Sequence, residues 1–112
     1  MFKHRTTCRA IYGDTDNMGY AYYANYFRWF EMGRTEFLRS LGLSYKSIEE
    51  RGIFLPVSEA HCKYIVPIQY DEVLIIETSL DTQLKGGFKF NYRLLRECDK
   101  QLLAEGSTKH PC

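Results

Sequence analysis

The stretch Tyr23-Ala24-Asn25-Tyr26-Phe27-Arg28-Trp29-Phe30-Glu31-Met32-Gly33-Arg34-Thr35-Glu36-Phe37-Leu38-Arg39-Ser40-Leu41 decides the fold. Within it Tyr23, Tyr26, Phe27, Phe30, Phe37, Leu38 and Leu41 recur at spacings of three and four, while Asn25, Arg28, Glu31, Thr35 and Arg39 fall largely elsewhere on the helical wheel. The pattern predicts one long amphipathic helix. Gly42 follows where a left-handed C-cap would sit, and Ser44 is placed to cap a short second helix through Tyr45–Arg51 before Gly52. The aromatic set from Tyr20 to Phe30 is too large for a single stripe. Phe27 and Phe30 suit the core, and Trp29, beside Arg28 and on a different side, suggests a subunit interface or a pocket wall.

On either side of this helix the pattern reads as strand. Arg5–Tyr12 alternates in part and ends at Gly13. Beyond Gly52, Ala60, Cys62, Tyr64, Val66 and Ile68 alternate, Val73–Thr78 is β-branched, and Phe88, Phe90, Tyr92 and Leu94 alternate with Lys89, Asn91 and Arg93. A last strand is expected to start at Gln101–Gly106, after a polar turn at Glu97–Lys100. Turns at Gln69–Glu72 and Lys85–Gly87 read as hairpins joining successive strands of an antiparallel sheet. An apolar helical face of this length needs a curved sheet to cover it, which gives an α+β domain of about five antiparallel strands wrapped around a long central helix. The chain ends in Thr108-Lys109-His110-Pro111-Cys112, and a proline cannot donate to a ladder, so the reading expects a short last edge strand or a truncated one.

With 112 residues the chain has the length of one domain, spanning 1–112, and room for one modest core. Its 15 Lys and Arg are scattered and balanced by 14 acids, which argues against a nucleic-acid partner and for a small molecule or another protein. No apolar run reaches the roughly 18 residues of a membrane span, and the N-terminus lacks a signal-peptide core, so a cytoplasmic location is expected. Cys8, Cys62, Cys98 and Cys112 have no Cys-x-x-Cys spacing, and His4, His61 and His110 form no helical metal motif; inert thiols and no cofactor are expected. Serine-nucleophile signatures are absent too.

The chemistry concentrates just ahead of the helix, in Tyr12-Gly13-Asp14-Thr15-Asp16-Asn17-Met18-Gly19. Two carboxylates in a turn, followed by a helix whose first amides lack partners, set a candidate base beside donors for a developing negative charge. That is the anatomy of an acyl-transfer site. Aspartate is also common in turns because its side chain bonds backbone amides, and Asp14 is assigned that structural role. On spacing alone Asp16 could serve either purpose. Asn25, in the first helical turn, is a candidate for capping or for substrate contact. Glu31 and Glu36 are alternative carboxylates on the helix, where charge pairs such as Glu31 with Arg34 are the default.

Tyr12-Gly13-Asp14-Thr15-Asp16, Gly19, Tyr22, Asn25-Tyr26, Phe30-Glu31 and Arg34–Arg39, continuing through Gly52, Pro56-Val57, Tyr64–Pro67, Tyr70–Leu74 and Ala104–Gly106, resemble hotdog-fold acyl-CoA thioesterases of the 4-hydroxybenzoyl-CoA thioesterase type. The ordered set covers nearly the whole chain. The resemblance implies an enzyme acting on an acyl-CoA, with Asp16 as nucleophile or general base and the backbone amide of Tyr23 pointing at the thioester carbonyl. Relatives often carry His where Tyr23 stands, so only the amide transfers. It also implies a homo-oligomer, a dimer or tetramer joined through sheet edges with sites between subunits. Lys85 and Lys89 are candidates for coenzyme A phosphates, against the plainer reading of solubilising lysines. A non-catalytic acyl-thioester binding or scaffold protein is the rival reading; dehydratase chemistry is disfavoured because no histidine falls in the site region.

Overall fold

A computed structural model of the protein describes residues 2–50, 56–81 and 87–111. The expected α+β arrangement is present. Strand β1 spans Phe2–Arg9, helix α1 Asn25–Ser40, helix α2 Tyr45–Glu50, and strands β2 to β5 span Glu59–Tyr64, Val73–Asp81, Gly87–Arg96 and Leu102–Pro111. The strands form one antiparallel sheet in the order β1-β3-β4-β5-β2, with α1 packed on one face.

The sequential-hairpin reading fails at one connection: β2 pairs with β5 at the far edge, not with β3. Pro67 explains the departure. Its ring cannot donate to a ladder, so the chain leaves the sheet after Tyr64 and crosses to the other side, where Asp71 turns it with φ of 72° and donates its N–H to the Ala10 carbonyl. The last strand also differs from expectation, being ten residues long and internal, between β4 and β2. Pro111 stands at its final position, opposite Gly87. The first strand ends earlier than expected, because the chain bends into a single 3₁₀ turn at Tyr12–Asp14.

Helix α1 terminates as its sequence predicts. Gly42 adopts φ of 80°, its N–H bonds to the Arg39 carbonyl, and the Leu43 N–H reaches back to Leu38, the paired bonds of a Schellman end. Ser44 and Ser47 then cap α2 reciprocally, each amide donating to the other's hydroxyl at 3.1 Å. The expected terminus of α2 at Arg51-Gly52 and the turn at Lys85-Gly86 lie outside the described residues.

The face that α1 buries is Tyr26, Trp29, Phe30, Gly33, Arg34, Phe37 and Leu38. The helix period is right, but the stripe is rotated from the predicted one. Tyr23 and Leu41 are exposed and Phe27 only half-buried, whereas Trp29 is in the core of the single chain, its ring edge-on to Tyr26 at 5.4 Å. Trp29 is therefore neither an interface residue nor a pocket wall in this chain. Phe30 stacks flat on Tyr92 of β4 at 4.4 Å, and Phe37 meets Phe90 edge-on at 6.0 Å. Each such fully buried aromatic contributes about 1.5–3 kcal/mol. Gly33 lets the helix come down on β3, since a Cβ there would stand 2.4 Å from Thr78 Oγ1. Beside it a polar seam crosses the core: Arg34 donates to Tyr92 Oη at 3.0 Å, and Thr108 Oγ1 links Tyr92 to His110 Nε2 at 2.6 and 2.7 Å. These bonds satisfy polar groups that would otherwise be costly to bury.

Candidate active site

The segment after β1 folds into a small hairpin that seats the start of α1. Tyr22 donates its N–H to the Asp14 carbonyl at 2.8 Å, Thr15 bridges Ala21, and Asp16 donates its N–H to Tyr20 at 2.8 Å. Gly19, at φ of 83°, makes the tip possible. The hairpin is tied to the sheet by the Ala21 N–H, which donates to Ile68 at 2.7 Å, and by a bridge between Tyr20 and Gln69.

The two aspartates have opposite surroundings. Asp14 is buried; Oδ2 accepts the Ile11 N–H at 3.0 Å and Oδ1 is paired with the Arg28 guanidinium. Its carbonyl accepts both Tyr22 N–H and Asn25 Nδ2, each at 2.8 Å. Asp14 thus holds turn and helix together, the structural role its position in the turn suggests. Asp16 is exposed, and only one of its oxygens, Oδ1, works within the turn, accepting the Met18 and Tyr20 N–H groups at 2.8 and 3.3 Å. Among the described residues Oδ2 has no partner.

Tyr23 sits three residues beyond Tyr20 on the same hairpin, immediately before the helix. Its side chain is exposed, and its N–H donates to no acceptor among the described residues. Its carbonyl is held from two sides, by the Tyr26 N–H at 3.3 Å and by the Tyr64 hydroxyl at 3.2 Å. Asn25 spends its amide on Asp14, so it serves as a structural tie at the helix start.

The remaining candidates are elsewhere. Lys89 is in β4, opposite Lys109 and Asp81, seven residues from Arg96 at the Asp16 end of the sheet, or about 23 Å along the strand. Lys85 lies outside the described residues. Glu31 and Glu36 line a cleft of about 370 Å³ with Thr6, Arg28, Met32 and Thr35, between the helix and β1. Arg34, expected to pair with Glu31, is instead buried against Tyr92, and Glu36 pairs with Arg39 at 3.3 Å. Burial pushes the Cys8 thiol up to about 11, with Arg28 opposing and Asp14 adding to the shift, and burial likewise takes Cys62 to about 11, so both stay protonated and unreactive at neutral pH. Two further side chains reach the site: Arg28, from a helix flank, pairs with the Asp14 carboxylate, and Tyr64, from an edge strand, bonds the Tyr23 carbonyl. Arg28 carries no motif; Tyr64 is legible only as part of the strand alternation and of the Tyr64–Pro67 segment, neither of which assigns it a role at the site. Among the described residues no helix is long and apolar enough to cross a membrane, and no group of three or more His, Cys, Asp or Glu is arranged to hold a metal.

Residues 12–112 match the family model of the thioesterase-like superfamily. The chain is 33% identical to the acyl-CoA thioesterase YbgC of Haemophilus influenzae, over 93% of this chain and 76% of that protein. Among solved structures it is similar to the DHNA-CoA thioesterase of Staphylococcus aureus, with a TM-score of 0.92 at 32% identity over 100% of this chain and 74% of the other. It is equally similar to a hypothetical protein of Thermus thermophilus, with a TM-score of 0.92 at 34% identity over 99% of this chain and 83% of the other. The resemblance drawn from the sequence motifs and the hotdog fold it implied are both borne out.

Proposed function

Because the chain belongs to the thioesterase-like superfamily, we propose that it hydrolyses an acyl-CoA thioester to a free carboxylic acid and coenzyme A at the hairpin that carries Asp16. Thioester hydrolysis requires an attacking oxygen and stabilisation of the oxyanion formed at the carbonyl. Asp16 supplies the first, either by taking a proton from the attacking water or by adding its own oxygen to the carbonyl carbon. The Tyr23 N–H supplies the second, in the field of the helix N-terminus. Collapse of the tetrahedral species expels the coenzyme A thiolate. On the nucleophilic route water then releases the acid from an anhydride with Asp16. Neither route uses a cofactor beyond the coenzyme A of the substrate.

One observation carries this reading: an exposed carboxylate with one oxygen engaged in the turn stands on the same hairpin as an amide at a helix start, and among the described residues its other oxygen and that amide have no partner. A homo-oligomer belongs to the proposal. Lys89 lies seven residues along β4 from Arg96, so it does not approach the Asp16 hairpin itself and could meet only the distant, phosphate end of a coenzyme A. Thiol release assayed over short, branched, aromatic and long-chain acyl-CoA esters tests the activity. Saturable binding of an acyl-CoA without thiol release across that panel would overturn it in favour of a non-catalytic binding protein.

A further inference from the structure

We propose that Tyr64 is a positioning residue for the reaction, its hydroxyl fixing the Tyr23 backbone so that the amide beside it faces the substrate carbonyl. The inference rests on the thioesterase reading of the Asp16 hairpin. Tyr64 is the last residue of β2, the edge strand farthest from β1, and it reaches the helix start through space, 41 residues from Tyr23 in sequence. Its Oη donates to the Tyr23 carbonyl at 3.2 Å. The only backbone group sharing that carbonyl among the described residues is the Tyr26 N–H, at a longer 3.3 Å.

The hydroxyl is itself aimed. The Tyr64 ring stands edge-on to Tyr26 at 4.6 Å and 81°, and Tyr26 is buried, so the phenol has a fixed platform. The Cys62 side chain lies two residues back on the same strand and is close enough to raise the phenol's pKa. Desolvation, followed by the proximity of Cys62, Tyr26 and Tyr23, pushes the Tyr64 phenol up to about 12, so it remains a donor throughout the neutral range.

This anchor complements the one on the preceding peptide, where the Tyr22 carbonyl that shares a plane with the Tyr23 N–H accepts the Asn25 N–H at 3.0 Å. Asp14 fixes the chain at Tyr22 and Asn25, on either side of Tyr23. The following Tyr23-Ala24 peptide is held at its carbonyl by two bonds of similar length, from the Tyr26 N–H at 3.3 Å and from Tyr64 at 3.2 Å. An oxyanion donor is effective only when fixed before the charge develops. Tyr64 acts on the orientation of the Tyr22–Ala24 backbone and does not touch substrate.

The test is Tyr64→Phe, which keeps the ring on Tyr26 and removes only the hydroxyl. With the best acyl-CoA of the thiol-release panel, kcat should fall about 10–100-fold, the scale of losing an outer partner of a reacting group, at unchanged KM. Calorimetric titration with the thioether counterpart of that substrate should give unchanged stoichiometry and Kd, showing that the folded fraction is intact. A kcat within about twofold of wild type, or a loss of binding stoichiometry equal to the loss of kcat, overturns the proposal. A fluorinated tyrosine at position 64 provides a second readout that needs no loss of packing. Its phenol ionises at lower pH, so its kcat should decline as pH rises through a range where wild type is flat; a flat profile for both overturns the proposal. Asp16→Asn run in parallel separates the two readings. Full activity there sinks the site assignment itself, whereas a dead Asp16→Asn beside an unaffected Tyr64→Phe sinks only the role of Tyr64.

Discussion

The carboxylate of Asp14 is paired with the guanidinium of Arg28, one turn into α1, which with the Asn25 side chain on the Asp14 carbonyl locks the loop before the helix to the helix itself. Asp14 is only 5% exposed and also accepts the Ile11 N–H, while Arg28 is about half exposed and lies over the Trp29 ring at 5.8 Å. Asp14→Ala strands the Ile11 amide and removes the partner of Arg28. The expected cost is about 1–3 kcal/mol, the range for an unmade bond at a buried group. Urea unfolding should show a lower midpoint at unchanged m-value; an unchanged midpoint would mean that the pair is idle.

Gly33→Ala should destabilise although alanine is the better helix former. Propensity favours alanine by about 1 kcal/mol. The new Cβ, however, would stand 2.4 Å from Thr78 Oγ1 and 2.5 Å from Ile76 Cγ2, both on the packed face of β3. Overpacking of this kind costs about 1–3 kcal/mol and outweighs the gain. Combining Gly33→Ala with Thr78→Ala should recover part of the loss in thermal melts, because the nearer obstruction is gone; strictly additive losses would refute the contact as its cause.

Glu77 predicts an acid limb in the stability curve. Burial pushes its carboxyl up, but Arg5 and Arg93 outweigh burial and hold it below the usual carboxylate range. Arg5 approaches it at 2.8 Å and Arg93 at 3.2 Å. A depressed folded pKa gives stability that is present above the unfolded value, about 4.3, and is lost as pH falls through the folded one. Urea midpoints of wild type should therefore drop more steeply below roughly pH 4.5 than those of Glu77→Gln. Parallel curves would show that Glu77 does not couple to folding. The exposed arginines and solvent screening keep the effect modest.

Asp16→Asn should separate activity from stability. The amide oxygen can still accept from Met18 and Tyr20, so the turn survives and the melting temperature should stay within a few degrees of wild type. Turnover should fall about 10²–10⁴-fold, the contribution of a positioned base. Thiol release at the wild-type rate would remove Asp16 from the mechanism.

The hairpin and the helix illustrate how far linear pattern reaches. The α1 period, the left-handed Gly42 end and the serine cap of α2 are legible because each depends on bonds between residues a few positions apart, and the β strands because their side chains alternate along the chain. The buried stripe is rotated from the apolar pattern because its centre is Gly33 and Arg34, residues without apolar side chains that are buried because β3 and Tyr92 stand opposite them. Trp29 faces inward for the same reason. The pairing of β2 with β5 was missed because hairpin logic follows chain order, and only Pro67 hinted that the strand would be abandoned.

The α+β class, the long helix with its C-terminal end, and an acid-bearing turn ahead of that helix are written into the linear pattern, since all of these are local or periodic properties of the chain. Tertiary structure decided which aspartate is consumed by structure and which is left exposed. Arg28 and the Ile11 amide converge on Asp14 only after the helix is seated, whereas Asp16 is left exposed with one oxygen unpartnered among the described residues. It also decided that Tyr64, 41 residues from Tyr23, closes on its carbonyl, a contact created by crossing the chain to the far edge of the sheet.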